Sequence, residues 1–520
     1  MADSFGAVLA SLLATWEYSP TYALRSALYV LDHAALGSLA VLAGARRPAV
    51  FYAIRLALGA KSAGCEAFFV WSVRESYGRA LGLWTWFFLL TSAGVFHAAV
   101  SFLPSAFAMY FVALSWSFWS PSREQMGAAV ACIAVAAIVG WPFAALLGIP
   151  LAADIVFSRL YGASCFARYA LQAALVVTPP VLLADAAWYG RLTLSTLNVL
   201  WYNARPSGAG SALYGTEPWH FYVRNLGLNL GLALPLALLA LPLLLAAPQL
   251  AAPMSSAAAR RLALQLSAGV GWLGFFSCLP HKEERFMFAA YPPLLLGAAV
   301  GADALVRALA RLRPPSRRAT SALALVALVG STSAALSASR AVAVVRFYNA
   351  PLSLYTRISA PTGLPPVGPR ARVAAVAPAP GTLCDAPARL CVGSEWHRFP
   401  TSLLLPEGTC LSFVRSGFSG ILPQPFARVN STRAIPPAMN DQNRDEPSRY
   451  VPLGACHYMV ALEDDDDRAR LSLRPEWEVA VRLPFLDSRR SPSLTRAFWV
   501  PWLSAARNVY GSYVLLRRVG

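Results

Sequence analysis

Between residues 22 and 345 the chain is a succession of apolar runs, most of them long enough to cross about 30 Å of hydrocarbon as a helix. They fall at about 22–44, 49–72, 81–99, 103–119, 127–154, 166–187, 224–247, 262–279, 286–310 and 320–345. The expectation is a polytopic α-helical membrane protein. Composition agrees, with 57% hydrophobic and only 13% charged residues against about 25% charged in soluble domains. Two runs are irregular. The first carries Arg25, Asp32 and His33, and 127–154 is interrupted by Pro142 and Pro150, which reads as a broken or re-entrant helix. The earlier stretch Phe5–Ala14 is too short to span and lacks the basic start of a signal peptide.

Past residue 345 the sequence reads as an ordinary soluble domain, dividing the chain into a multi-span region, 1–345, and a second domain, 346–520. Alternation over Arg389–Val392, Leu411–Val414 and Tyr458–Leu462, punctuated by Gly and Pro, predicts a mainly β (α+β) module there. The net charge of +18 comes chiefly from arginines clustered between apolar runs. Such clusters are orientation signals rather than a nucleic-acid footprint. Arg307, Arg311, Arg313, Arg317 and Arg318, with no acid among them, mark a cytoplasmic loop. Counting back and forth from that loop puts Trp16–Pro20, 188–222, 281–285 and the whole of 346–520 in the lumen. The sequon Asn430-Ser431-Thr432 makes Asn430 a glycosylation candidate, and Cys384, Cys391, Cys410 and Cys456 are disulfide candidates in an oxidising compartment, with their pairing open. The acidic run Glu463–Asp467 reads as a solvated loop, because adjacent carboxylates lack the spacing of a calcium loop.

No Walker loop, Cys-x-x-Cys pair or Gly-x-Ser-x-Gly elbow occurs, which removes the commonest ATPase, zinc and hydrolase readings. What remains is a luminal face gathering Trp16-Glu17-Tyr18, the segment Tyr214–Tyr222 and the turn His281-Lys282-Glu283-Glu284-Arg285-Phe286. That turn is either a solvated cap with Lys282 and Arg285 snorkelling or a site of chemistry. The residue types suit sugar transfer from a lipid phosphate. Cations hold the departing phosphate, a carboxylate deprotonates the acceptor hydroxyl, and aromatic rings meet sugar faces and an isoprenoid tail.

The string His281–Phe286 resembles the His-Lys-Glu-x-Arg-Phe signature of glycosyltransferase family 22, the endoplasmic-reticulum mannosyltransferases that use dolichyl-phosphate-mannose. Leu213–Trp219, Cys391–Pro400, Met439–Asn443, Glu446–Tyr450 and Arg496–Pro501 are similar to the branch that adds α-1,2-mannose to the lipid-linked oligosaccharide of N-glycosylation. The resemblance implies a GT-C fold and a multi-pass protein of the endoplasmic-reticulum membrane with its active face and C-terminal domain luminal. It implies inverting transfer of mannose from dolichyl-phosphate-mannose to a dolichyl-diphosphate-linked, mannose-rich oligosaccharide. No cofactor beyond these lipid-linked substrates is expected, and the question of a metal stays open. It assigns the donor phosphate to His281, Lys282 and Arg285, and substrate contacts to Trp16, Glu17, Tyr18, Glu217, Trp219, His220, Tyr222 and Glu283. The family also has a further first span and a loop of adjacent acids that supplies the general base. That base is expected upstream of Met1, with Glu17 and Glu217 as fallbacks, and the chain from Met1 onward is expected to need that segment for transfer. Three alternatives stand beside this reading: the α-1,2-mannosyltransferase of the glycosylphosphatidylinositol anchor, an inactive truncated homologue, or, in a different class, a transporter.

Overall fold

The computed structural model describes residues 15–204, 211–247, 254–360, 363–367, 373, 388–424, 432–433, 438–464 and 470–519. Phe5–Ala14, Cys384, Asn430 and Asp465–Asp467 therefore lie outside the described residues. A 3₁₀ turn, Trp16–Tyr18, leads into α1 (Ala27–Leu42), α2 (Arg47–Tyr77), α3 (Arg79–Thr91), α4 (Ala93–Ala99) and α5 (Pro104–Phe118). Then come α6 (Met126–Val135), α7 (Ile149–Val156), α8 (Gly162–Tyr189), α9 (Ser195–Ala204), α10 (Phe221–Leu230) and α11 (Ala233–Ala246). The helical region closes with α12 (Ser256–Cys278), α13 (Tyr291–Arg311), α14 (Arg318–Tyr348) and α15 (Ala350–Ile358).

Every apolar run lands on helix, but several are bent where local chemistry breaks the ladder. The run at 81–99 turns by 71° between α3 and α4. Ser92 sits at the joint, its hydroxyl donating to the Phe88 carbonyl at 2.6 Å and competing with the helix ladder. The run at 224–247 turns by 111° between α10 and α11, at Gly231, whose φ of +57° suits glycine alone among unstrained residues. The expected break in 127–154 lies at Trp141. There α6 continues as a π-helical turn, Ala136–Gly140, and restarts as the 3₁₀ turn Pro142–Gly148. Pro150 makes no second break, because it occupies the first turn of α7, where its missing N–H costs nothing. By length and apolar composition three helical stretches among the described residues could cross a membrane: Gly162–Tyr189, Glu284–Arg311 and Pro315–Tyr348. Taking each bent pair as one span raises this to five.

The helix α13 forms the centre of the bundle and is buried on nearly every face from Tyr291 to Ala304. Glycines make this possible. At Gly301 the backbone meets the Leu236 carbonyl of α11 so closely that a Cβ would overlap it, and at Gly297 a Cβ would lie 3.3 Å from the Ala237 backbone. Among the described residues the later domain holds one five-stranded mixed sheet in the order β2-β1-β3-β5-β4. Its strands are β1 (Ala388–Val392), β2 (Thr409–Phe413), β3 (Tyr458–Glu463), β4 (Trp477–Leu486) and β5 (Tyr510–Arg518). The first three pair parallel, and β5 runs antiparallel to both β3 and β4. The alternating stretches named from the sequence are β1 to β3; β4 alternates as well, with Trp477, Val479, Val481, Leu483 and Phe485 at every second position, and β5 is a continuous apolar run. Cys391 and Cys456 are joined by a disulfide across 65 residues, and Cys410 is also disulfide-bonded. The sheet docks on the helices through a shared apolar core in which Val50, Phe51 and Ile54 of α2 and Leu354 and Tyr355 of α15 meet Leu390, Leu404, Phe485 and Tyr513.

Candidate active site at one end of the helix bundle

Pro280 follows the end of α12, and α13 starts at Tyr291 with Pro292 and Pro293 in its first turn, so the charged turn between the two helices caps the buried α13. Phe286 anchors it. Its ring stacks on Trp141 with centroids 5.3 Å apart, and its carbonyl accepts the Trp272 indole N–H at 2.9 Å. The break at Trp141 thus places an aromatic wedge directly beneath the charged turn. Glu284 points back into the bundle and accepts from Asn229 Nδ2 at 2.8 Å.

Above the wedge, the Glu283 carboxylate joins two cations. His281 Nε2 lies 3.1 Å and Arg285 Nη2 2.6 Å from the same oxygen, Oε1. His281 Nδ1 lies 2.9 Å from the Gly215 carbonyl. The Glu283 hydrogen bond, outweighing burial, holds the His281 imidazole above its ordinary pKa. Burial alone would raise the Glu283 carboxyl, but the bond from His281 and the charge of Arg285 bring it below the usual carboxylate range.

Lys282 is 6% exposed, and its ammonium donates to the carbonyls of Glu217, at 2.8 Å, and of Leu279. With the Glu217 amide donating to the Pro280 carbonyl at 2.9 Å, it ties the loop at 214–219 to the charged turn. The Glu217 side chain, Trp219 and His220 stand exposed on that loop, the last two in edge contact at 5.6 Å. Tyr222 is fully buried in the helical core and Tyr18 packs against Tyr29 and Val30, so neither ring faces the surface of the site.

The third arm is the segment before α1. Glu17 and Arg25 form a two-bonded ion pair at 2.8 and 2.9 Å. Burial would raise the Glu17 carboxyl, but Arg25 outweighs it and holds the group below the ordinary range. Arg285 and Glu283 of the charged turn also act on the Glu17 carboxyl, and the neighbouring Trp16 lies against Tyr202 of α9 at 5.8 Å between ring centroids. The clamp beneath it carried no signal in the sequence. Asp185 on α8 is fully buried and accepts the Ala27 amide at 2.8 Å and the Ser195 amide at 2.9 Å, capping α1 and α9 together. The Tyr189 hydroxyl donates to the Arg25 carbonyl at 2.5 Å. Arg25 and Asp185 read in sequence as stray charges in apolar runs. Only their partners, 8 and 10 residues away or on another helix, give them a role.

Three segments far apart in sequence therefore converge on one end of the bundle, and the sheet domain reaches the same end, where the Tyr202 hydroxyl of α9 donates to the Asp441 carbonyl at 3.2 Å. The sequence model of the Alg9-like mannosyltransferase family, a glycosyltransferase family 22 profile, matches residues 7–406. The chain belongs to this family. Its architecture is accordingly that of a GT-C membrane glycosyltransferase, a multi-span helical region followed by an α+β domain. Among similar proteins, alpha-1,2-mannosyltransferase ALG9 of Mus musculus is 39% identical over 521 residues, covering 97% of this chain and 81% of the relative. The ALG9 of Arabidopsis thaliana is 33% identical, covering 97% and 84%. Among solved structures, ArnT from Cupriavidus metallidurans in the apo state aligns over 80% of this chain and 81% of its own, with a TM-score of 0.47 and 13% identity.

Proposed function

We propose that this mannosyltransferase moves mannose from dolichyl-phosphate-mannose to a dolichyl-diphosphate-linked, mannose-rich oligosaccharide, forming an α-1,2 linkage with inversion, at the luminal face of the endoplasmic-reticulum membrane. The observation that carries the reading is the convergence of Trp16–Glu17, the 214–220 loop and the charged turn at one end of the bundle, in a chain 39% identical to an α-1,2-mannosyltransferase. Arg285, 40% exposed at its side chain, and His281 present positive charge where a lipid phosphate reaches the membrane border. There they stabilise the charge that develops as the C1–O bond breaks. Glu283 holds the two cations together. Lys282, from below, holds the aromatic loop that meets the sugar. Trp16, Trp219 and His220 offer ring faces and edges to the sugars, while the buried Tyr18 and Tyr222 support the platform. Glu17, kept ionised by Arg25, and the exposed Glu217 are the carboxylates available to acceptor hydroxyls.

The test is transfer in microsomes from cells lacking the endogenous enzyme, with labelled dolichyl-phosphate-mannose and a lipid-linked acceptor. A product trimmed by an α-1,2-specific mannosidase is expected. No incorporation, or a product resistant to that enzyme, refutes the assignment. Protease treatment of the same sealed vesicles checks the topology. Loss of the 346–520 domain without detergent would place it in the cytosol.

A further inference from the structure

The loop at 438–449 belongs to the soluble domain, yet it reaches the catalytic end of the helices. The Tyr202 hydroxyl on α9 donates to the Asp441 carbonyl at 3.2 Å. Tyr202 in turn lies against Trp16 at 5.8 Å, and Trp16 meets Tyr22 edge-on at 4.9 Å. Tyr214 continues the row to His281, 6.2 Å away between ring centroids. The row is open to solvent, Tyr214 being 41% exposed. Burial first, and then the Asp441 carboxylate, push the Tyr22 and Tyr202 hydroxyls upward. Glu17 and Asp441 both add to the upward push on Tyr202 and Tyr214, after burial.

The loop is built to hold its side chains still. Asn440 Oδ1 accepts the amides of Gln442 and Arg444 at 3.2 and 3.0 Å, and its Nδ2 donates to the Arg444 carbonyl at 3.1 Å. Arg449 donates to the Ala438 carbonyl at 2.7 Å. Asp445 accepts from the Tyr450 hydroxyl at 2.6 Å and pairs with Arg415 at 3.1 Å. Ala438 and Asn443 both take positive φ, +54° and +49°, and Asn443 Oδ1 accepts the Ile421 amide at 3.1 Å. Such backbone strain persists only where the surroundings over-determine it. The product of this bonding is a carboxylate and an amide, the half-buried Asp441 and the exposed Gln442, joined at 3.2 Å and set at the rim of an aromatic row.

We infer that Asp441 and Gln442, with the rings of Trp16, Tyr202 and Tyr214, form the subsite that binds the terminal hexose of the acceptor glycan. This rests on the proposed function and extends it from the donor to the acceptor. Rings present faces that pack on the apolar face of a hexose, and a carboxylate beside an amide accepts from and donates to vicinal hydroxyls. The cations occupy the other end of the row, at His281 and Arg285, so the phosphate and the hydroxyl-rich partner approach from opposite sides. Asp441 and Gln442 bind sugar in this scheme, and Tyr202 positions their loop.

Two measurements on the full-length protein test the subsite. In steady-state transfer, Asp441→Ala and Gln442→Ala should each raise the acceptor KM at least fivefold, with donor KM and kcat within twofold of the parent. Tyr202→Phe, which keeps the ring and loses the docking bond, should raise acceptor KM less. Asp441→Asn, close in shape, serves if the alanine variant is poorly produced. An unchanged acceptor KM in both alanine variants overturns the inference, as does an effect on donor KM alone. The second measurement is tryptophan-fluorescence titration with a free oligomannose glycan. Saturable binding that Asp441→Ala weakens upholds the subsite even in a preparation that shows no transfer, whereas no binding by the parent protein overturns it. Failure of transfer with binding intact counts against the proposed function and leaves the subsite standing.

Discussion

Replacing Lys282 with methionine keeps the buried stem and removes the ammonium that joins the 214–219 loop to the charged turn. Hydrogen bonds to a charged group contribute about 1.5–3 kcal/mol each. Lys282 makes two, to the Glu217 and Leu279 carbonyls, from a position 6% exposed. Glu217 itself is exposed, so water recovers part of the loss at that carbonyl, and a net of about 3 kcal/mol is reasonable. At 1.36 kcal/mol per tenfold, that is roughly a hundredfold shift away from the docked loop. Because the loop carries the rings that meet substrate, kcat/KM should fall by about the same factor. The loop's release has a signature independent of catalysis. The Glu217 amide, bonded to the Pro280 carbonyl at 2.9 Å, should lose hydrogen-exchange protection in the substrate-free variant. A Lys282→Met protein with turnover near that of the parent and a protected Glu217 amide would refute this reasoning. Reduced turnover with a fully protected amide would mean that the ammonium acts on the donor phosphate itself.

His281 is held above its ordinary pKa by Glu283, so the favourable effect of its charge is complete below about pH 6.5 and lost as pH rises through the higher folded value. Donor affinity should weaken across that window, and His281→Gln should flatten the profile; an unchanged pH dependence in the variant counts against His281 as a phosphate contact. Arg25→Gln removes the charge that outweighs burial at Glu17, so the acid limb of activity should move to higher pH, as read from pH–rate profiles. Gly301→Ala should force α11 and α13 apart at Leu236, at a cost of about 1–3 kcal/mol, seen as a lower thermal midpoint in detergent. Cys391→Ser opens a crosslink spanning 65 residues, worth about 4 kcal/mol in the chain-entropy account. It should leave the sheet domain protease-sensitive while α13 stays protected.

The charged turn was legible in the sequence because its residues are contiguous. His281, Lys282, Glu283 and Arg285 announce themselves beside an apolar run, and Pro280 directly before them stops the preceding helix. The helical class was equally plain, since apolar run length is a one-dimensional property that the bilayer reads directly. The break near Pro142 could be seen for the same reason, although its consequence, a Trp141 ring under Phe286, could not. The bends at Ser92 and Gly231 were hidden, because one hydroxyl or one glycine inside an apolar run leaves mean hydropathy unchanged while redirecting the chain. Strand β5 reads as a continuous apolar run because both of its faces are covered, Tyr513 and Leu515 packing in one core and Val514 and Leu516 in the other, whereas β4 alternates Trp477, Val479, Val481, Leu483 and Phe485 and was legible. What only tertiary structure decided is partnership. Glu17 is an exposed acid or a held carboxylate according to whether Arg25 reaches it. Asp185 is a stray charge until two helix N-termini point at it, and Lys282 serves the loop rather than solvent because Glu217 lies 2.8 Å away. A polar group's role depends on which complementary group the fold delivers to it in a low-dielectric setting, and sequence spacing carries almost none of that information.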